Sequence, residues 1–102
     1  MGDGIVLQNV DTNTVTGNTA SHNFGGNGIH LANSDKNTLT GNTTNFNLND
    51  GILVDINSTA NMIKKNTALN NGNWDIEDAA GLATTNTWSG NTFNSKSSTN
   101  LN

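Results

Sequence analysis

Apolar residues along this chain fall in short alternating bursts, and the bursts return at a nearly fixed spacing. Ile5 and Leu7 alternate with Val6 and Gln8, the period of two that marks a strand with one buried face. Gly4-Ile5-Val6-Leu7 comes back as Gly28-Ile29-His30-Leu31 and as Gly51-Ile52-Leu53-Val54. The inward pairs are Ile5 with Leu7, Ile29 with Leu31 and Ile52 with Val54, and Trp74 with Ile76 is expected as the fourth. A second short strand per repeat turns Val15, Leu39, Ile63 and Trp88 inward, and a third does so with Ala20, Thr44, Ala68 and Phe93. Phe24, Phe46, Leu48, Ile56 and Leu82 are expected to join this core.

The polar positions repeat as strictly. Asn13-Thr14-Val15-Thr16-Gly17-Asn18-Thr19 returns from Asn37 and Asn61, and a fourth copy reads Asn86-Thr87-Trp88-Ser89-Gly90-Asn91-Thr92. A period in this range marks a solenoid, each repeat packing on its neighbours. Stacked strands lie ~4.8 Å apart, so superposed amides can hydrogen-bond as ladders. Two such ladders are expected, Asn13, Asn37, Asn61, Asn86 and Asn18, Asn42, Asn66, Asn91, with Asn23, Asn47, Asn71 recurring beside them. Gly17, Gly41 and Gly90 suit a left-handed corner. Lys65 holds that place in the third repeat and is expected to be strained. A helical solenoid fails: no window spaces apolar residues by three and four, and Asn, Gly and Thr are poor helix formers. The framework of a leucine-rich repeat is also missing.

The pattern Gly-Ile-x-Leu, Asn-x-Ile/Val-x-Gly-Asn-Thr and a closing Asn resembles the right-handed parallel β-helix repeat. Pectin-lyase-like proteins carry it, as do periplasmic β-helix proteins linked to copper delivery for nitrous oxide reductase. The resemblance implies an all-β fold, a right-handed parallel β-helix of about four coils of 23–25 residues over 2–94, followed by a polar tail, 95–102, expected to be disordered. It also implies an extracellular, periplasmic or cell-surface location. It is specific for fold and not for activity, since lyases, hydrolases and inert scaffolds share it.

Composition narrows the picture. Leu, Ile, Val and Phe make up about a fifth of the 102 residues, at the border where compact folding gives way to disorder. Hydrophobic burial alone therefore cannot offset the backbone entropy lost on folding, and ladder hydrogen bonds must contribute. With no Cys there is neither a disulfide framework nor a thiolate metal site. A net charge of −4 and four Lys without Arg leave no footprint for nucleic acid. No segment has the length of a membrane span, and no charged-then-apolar leader precedes the repeats.

The outer face of the first strand is where larger relatives carry a polysaccharide groove. The outward rows are expected to be Val6, His30, Leu53, Asp75 and Gln8, Ala32, Asp55, Glu77. Asp55 would then stack on Glu77 with Asp75 on the same face, a set of carboxylates suited to a hard cation such as calcium. His30, Asp55, Asp75 and Glu77 are accordingly the carbohydrate or cation candidates. No catalytic residue is assigned. A lyase needs a base near its acidic ligands, and Lys36, Lys64 and Lys65 lie away from these rows. A glycosidase needs two separated carboxylates, for which Asp55 with Asp75 is the best pair. His22 and His30 fall at different phases, which argues against copper. No other cofactor is called for. Asp3, Asn27, Asp50 and Asn73 lie just before the first strand, as turn residues bonding their own backbone. Thr19, Thr43, Thr67 and Thr92 form a column of the kind an ice-binding surface uses, but Met62 and Lys64 break the columns beside it.

These features favour a non-catalytic repeat module with a structural or interaction role, associated with polysaccharide. The alternatives are the truncated core of a lyase- or hydrolase-like enzyme and an ice-binding solenoid. No capping segment precedes the first coil, so its edge is expected to pair with another copy or with a parent chain.

Overall fold

The computed structural model describes residues 2–102. Its strands are β1 (Ile5–Gln8), β2 (Thr14–Thr16), β3 (Ile29–Ala32), β4 (Thr38–Thr40), β5 (Ile52–Val54), β6 (Met62–Lys64), β7 (Thr67–Ala68), β8 (Ile76–Asp78), β9 (Thr87–Ser89) and β10 (Thr92–Phe93), with one 3-10 turn at Gly81–Ala83. They form sheets in the orders β1-β3-β5-β8, β2-β4-β6-β9 and β10-β7. Every pairing is parallel. Three parallel sheets wound by one chain are the walls of a β-helix.

The repeat stacks like on like. Ile5 lies beside Ile29, Ile29 beside Ile52 and Ile52 beside Ile76. Leu39, Ile63 and Trp88 continue the column that Val15 begins. Ala20, Thr44 and Ala68 are buried in the third wall. Ile29, Leu31, Leu39, Ile52, Val54, Ile63 and Ile76 are all fully buried, so the β-branched and leucine residues that alternate in sequence do form one continuous core.

The asparagines bind coil to coil. Asn13 N–H donates to Asn37 Oδ1 at 2.8 Å, Asn37 N–H to Asn61 Oδ1 at 2.8 Å and Asn61 N–H to Asn86 Oδ1 at 2.8 Å. Each amide also donates backward, Asn37 to Val10 C=O, Asn61 to Ser34 C=O and Asn86 to Ser58 C=O. Asn18, Asn42, Asn66 and Asn91 repeat the arrangement. Asn23, Asn47 and Asn71 make a third ladder. One side chain thus satisfies both an N–H and a C=O of the preceding coil, which is how a chain so poor in apolar residues keeps its buried backbone paired.

Gly17, Gly41 and Gly90 take φ of 68°, 69° and 65°. Lys65 keeps the left-handed corner at φ 56°, because the peptide N–H must still reach Ser89 C=O at 3.1 Å.

The fourth coil departs from expectation. Its inward pair is Ile76 with Asp78, not Trp74 with Ile76, since β8 registers Ile76 on Ile52 and Asp78 on Val54. Trp74 is 37% exposed. A carboxylate can occupy the core position because four donors meet it. Asp78 Oδ2 accepts from Trp88 Nε1 at 2.9 Å, from Asn86 Nδ2 at 3.1 Å and from the Thr84 hydroxyl, and Oδ1 accepts from Ala80 N–H at 3.0 Å.

Phe24, Phe46, Leu48, Ile56 and Leu82 are exposed rather than inward. They sit at corners, where the chain turns out of the strand alternation and side chains splay away from the axis. The tail is ordered. Ile76 N–H donates to Ser95 C=O, Ser97 N–H to Ile76 C=O, and Leu101 is fully buried. Residues 94–102 therefore lie across the open side of β8 and cover the last coil.

Candidate functional site

The register decides what the outer face of the first sheet presents. Its outward row reads Val6, His30, Leu53, Glu77. The expected convergence of Asp55, Asp75 and Glu77 does not form, because the fourth coil enters the sheet at Ile76 and shifts Asp75 out of the row.

Each candidate has its own surroundings. Asp55 turns its carboxylate back on the chain, Oδ1 accepting from Asn33 N–H at 3.2 Å, Asn57 N–H at 3.1 Å and the Ser58 hydroxyl at 2.8 Å. Asp75 is buried and ends the third asparagine ladder. Its Oδ1 takes Asn71 N–H at 3.1 Å and Asn71 Nδ2 at 2.9 Å, and its Oδ2 takes the N–H of Asn94 and of Ser95. Burial acts to raise its pKa, but the Asn71 side chain and the N–H groups of Asn94, Asn71 and Ser95 outweigh it and hold the carboxyl below 3.8. Both oxygens of Asp75 are thus taken by the chain, and Asp55 has one oxygen so engaged.

Glu77 meets Asp50 instead. Burial, a hydrogen bond with Asp50 and the repulsion of the Asp50 charge, in that order, push Glu77 from 4.5 up to about 7. Asp50 is itself buried, its Oδ1 accepting from Asn73 Nδ2 at 2.9 Å and Trp74 N–H at 2.9 Å. Lys96, on the segment beside β8, turns its ammonium to Thr99 C=O and Leu101 C=O. It leaves the acidic pair unneutralised.

The same geometry recurs at the other end of the face. His30 Nδ1 lies 3.1 Å from Asp3 Oδ2. In both places a corner carboxylate of one coil reaches the outward residue of the next. Asp3 and Asp50 were expected to bond their own backbone, yet Asp3 Oδ1 accepts Asn27 N–H at 2.6 Å, across one coil. Stacking brings the next coil's N–H closer than the corner's own. No group of three or more His, Asp or Glu stands where it can hold a metal ion among the described residues.

A different surface stands out at the corner after the third wall. His22 stacks on Phe46 with ring centroids 5.2 Å apart and planes at 22°, and Phe24 meets His22 edge-on at 6.3 Å. Phe24 is 73% exposed and Leu48, next to it, 53%. His22 and Phe46 hold φ of 60° and 57°, a conformation costly for bulky residues. The signal was present in the sequence: His22 and Phe46 share one phase, as do Phe24 and Leu48, but an apolar residue on an Asn-rich chain reads as core.

The threonines 19, 43, 67 and 92 align as a column. Beside them, Met62 and Lys64 stand where Thr38 and Thr40 have their partners.

Residues 1–99 match the model of the right-handed β-helix region. The chain belongs to the right-handed β-helix family. No curated protein and no solved structure matches it. Membership accounts for the stacked strands, the corner positions and the ladders, and it leaves activity open, since the family's fold is shared by proteins of unlike function. Within this β-helix, the polar residues expected to act divide into those spent on the backbone, Asp55 and Asp75, and those paired across coils, His30 and Glu77.

Proposed function

We propose that this β-helix is a non-catalytic repeat module with a structural and interaction role, and that it contacts its partner through the aromatic corner of His22, Phe24, Phe46 and Leu48. The observation that carries the proposal is the corner itself. Two aromatic rings are held in strained backbone conformations and exposed side by side on a surface otherwise of Asn, Thr and Gly. A flat ring face bordered by amide groups suits a ligand with alternating C–H and hydroxyl faces, which favours an uncharged polysaccharide. The carboxylates support the non-catalytic part: Asp55 and Asp75 are occupied by main-chain donors.

Titration of the chain with soluble neutral and acidic polysaccharides, followed by nuclear magnetic resonance of the Phe and His rings, tests this. Binding lost in Phe24→Ser and Phe46→Asn, with the fold retained, is the expected result. No ring shifts with any polymer would refute it.

Glu77 favours a second reading. A carboxylic acid whose pKa is raised to about 7 beside a second carboxyl group is the usual equipment of a general acid. The two groups are in hydrogen-bond contact, however, closer than the ~5–9 Å that glycosidases leave for the sugar and water. Polymer cleavage abolished by Glu77→Gln would establish this reading over the first.

A further inference from the structure

The two ends of the solenoid differ. At the C-terminal end, the segment 94–102 pairs with β8 and seals it. At the other end β1 has no neighbour on its outer side among the described residues. The direction of its peptide groups follows from the bonds it does make. Ile5 N–H donates to Gly28 C=O and Asn9 N–H to Ala32 C=O. Peptide units are planar and trans, and alternate groups along a strand point opposite ways. So Gly4 C=O, both polar groups of Val6 and both of Gln8 point away from the second coil. The strand carrying them reads Ile-Val-Leu-Gln, without the charge, proline or bulge that guards a lone edge.

This edge is complementary to itself. In an antiparallel pair, residues directly opposite point to the same face. Setting Val6 against Val6 of a second copy puts Ile5 opposite Leu7, both on the core side. Each Val6 N–H then meets the other Val6 C=O, and each Gln8 N–H meets the other Gly4 C=O. Asp3 falls opposite Asn9, so the acidic chains do not oppose carboxylate to carboxylate. An axis through Leu7 would set Ile5 against Asn9, which has already left the strand at φ 55°. A twofold axis through Val6 meets these conditions and keeps the core side apolar. It cannot pair β2 with its own copy as well, because the second wall lies on another side of the coil.

We propose that two copies of this chain join edge to edge through β1, antiparallel, with the dyad at Val6, and that assembly stops there. It stops because the second edge each copy would need for a further partner is covered by its own residues 94–102. The solenoid is thereby a closed dimer rather than the growing fibre that a β-helix open at both ends would form.

The 102-residue chain sediments at twice its mass under this arrangement, at every concentration above the dissociation constant and never beyond. Val6→Cys places two thiols across a hydrogen-bonded pair, with Cα atoms ~5.5 Å apart, and mild oxidation converts it to a covalent dimer. Leu53→Cys, in the same outward row but inside the sheet, gives none. Val6→Pro removes the donor at the dyad and yields a folded monomer by circular dichroism and sedimentation, a twofold drop in mass. A monomer at millimolar concentration overturns the proposal. So does a dimer that Val6→Cys does not cross-link, or a series of higher oligomers. Should Val6→Pro not fold, the cysteine variants still decide.

Discussion

Asp78 accepts a hydrogen bond from Trp88 Nε1 at 2.9 Å inside the last coil, at a position where the coil before it has Val54. A carboxylate replaces an aliphatic side chain, and the neighbouring wall supplies the indole to match. With Asn86, Thr84 and Ala80 also donating, the group stands in a complete set of partners.

Asp78→Val restores the aliphatic column and yet is expected to destabilise the protein by about 1–3 kcal/mol, because the Trp88 indole N–H is then buried without an acceptor. Urea unfolding followed by Trp fluorescence measures this. A variant as stable as the parent would show that the network contributes nothing.

Thr44 carries the opposite case. It is fully buried between Ala20 and Ala68, and its hydroxyl has no hydrogen-bond partner. Thr44→Val keeps the shape and removes the unpaired group, so a gain of about 1–2 kcal/mol is expected in the same unfolding experiment. A loss would mean that the hydroxyl is bonded in solution, by water or by a rearranged carbonyl.

Stability should fall on both sides of a mildly acidic optimum. Glu77 has its pKa raised to about 7 from 4.5, so the folded state holds a proton the unfolded chain releases. Its contribution is complete below pH 4.5 and is lost as pH climbs toward 7. Asp75 is shifted below 3.8, so its contribution is present above that value and is lost as pH falls through the lower one. Thermal unfolding across the pH range should give the highest midpoint around pH 4–5. Glu77→Gln, whose amide donates to Asp50 at any pH, should flatten the neutral arm alone. An unchanged neutral arm in that variant would assign the effect elsewhere.

How far the sequence reveals this molecule depends on whether the residue in question repeats. Ile29, Leu39, Asn42 and Gly41 recur at one phase in coil after coil, and each takes the place its phase implies. Where the repeat is broken, reading by hydropathy misleads. Hydropathy turns Trp74 inward beside Ile76, although the spacing from Ile52 to Ile76 points to the other register, with Asp78 at the place of Val54. The hydropathy register also carries Asp75 into the surface row and hides the contact between Glu77 and Asp50. Phe24 and Phe46 read as core for the same reason and are exposed, since nothing in hydropathy distinguishes a corner that splays outward from a strand that faces in. The polar tail read as disordered because it holds one large apolar residue, Leu101, whose burial depends on a surface formed only by the folded last coil.

The central claim is that coils hold one another through stacked asparagines, so an identical residue should matter according to the coils on either side of it. Asn18 and Asn42 sit in the same Gly-Asn-Thr motif. Asn42 accepts Asn18 N–H at 2.9 Å and donates to Val15 C=O at 2.9 Å and to Asn66 Oδ1 at 3.0 Å, buried between two coils. Asn18, on the outermost coil, is exposed and donates to Thr16 C=O of its own corner and to Asn42 Oδ1. Replacing each by Ala and measuring unfolding free energy in urea compares them directly. Asn42→Ala is expected to lose about 2–5 kcal/mol and Asn18→Ala about 1 or less. Equal losses would contradict the stacked ladder.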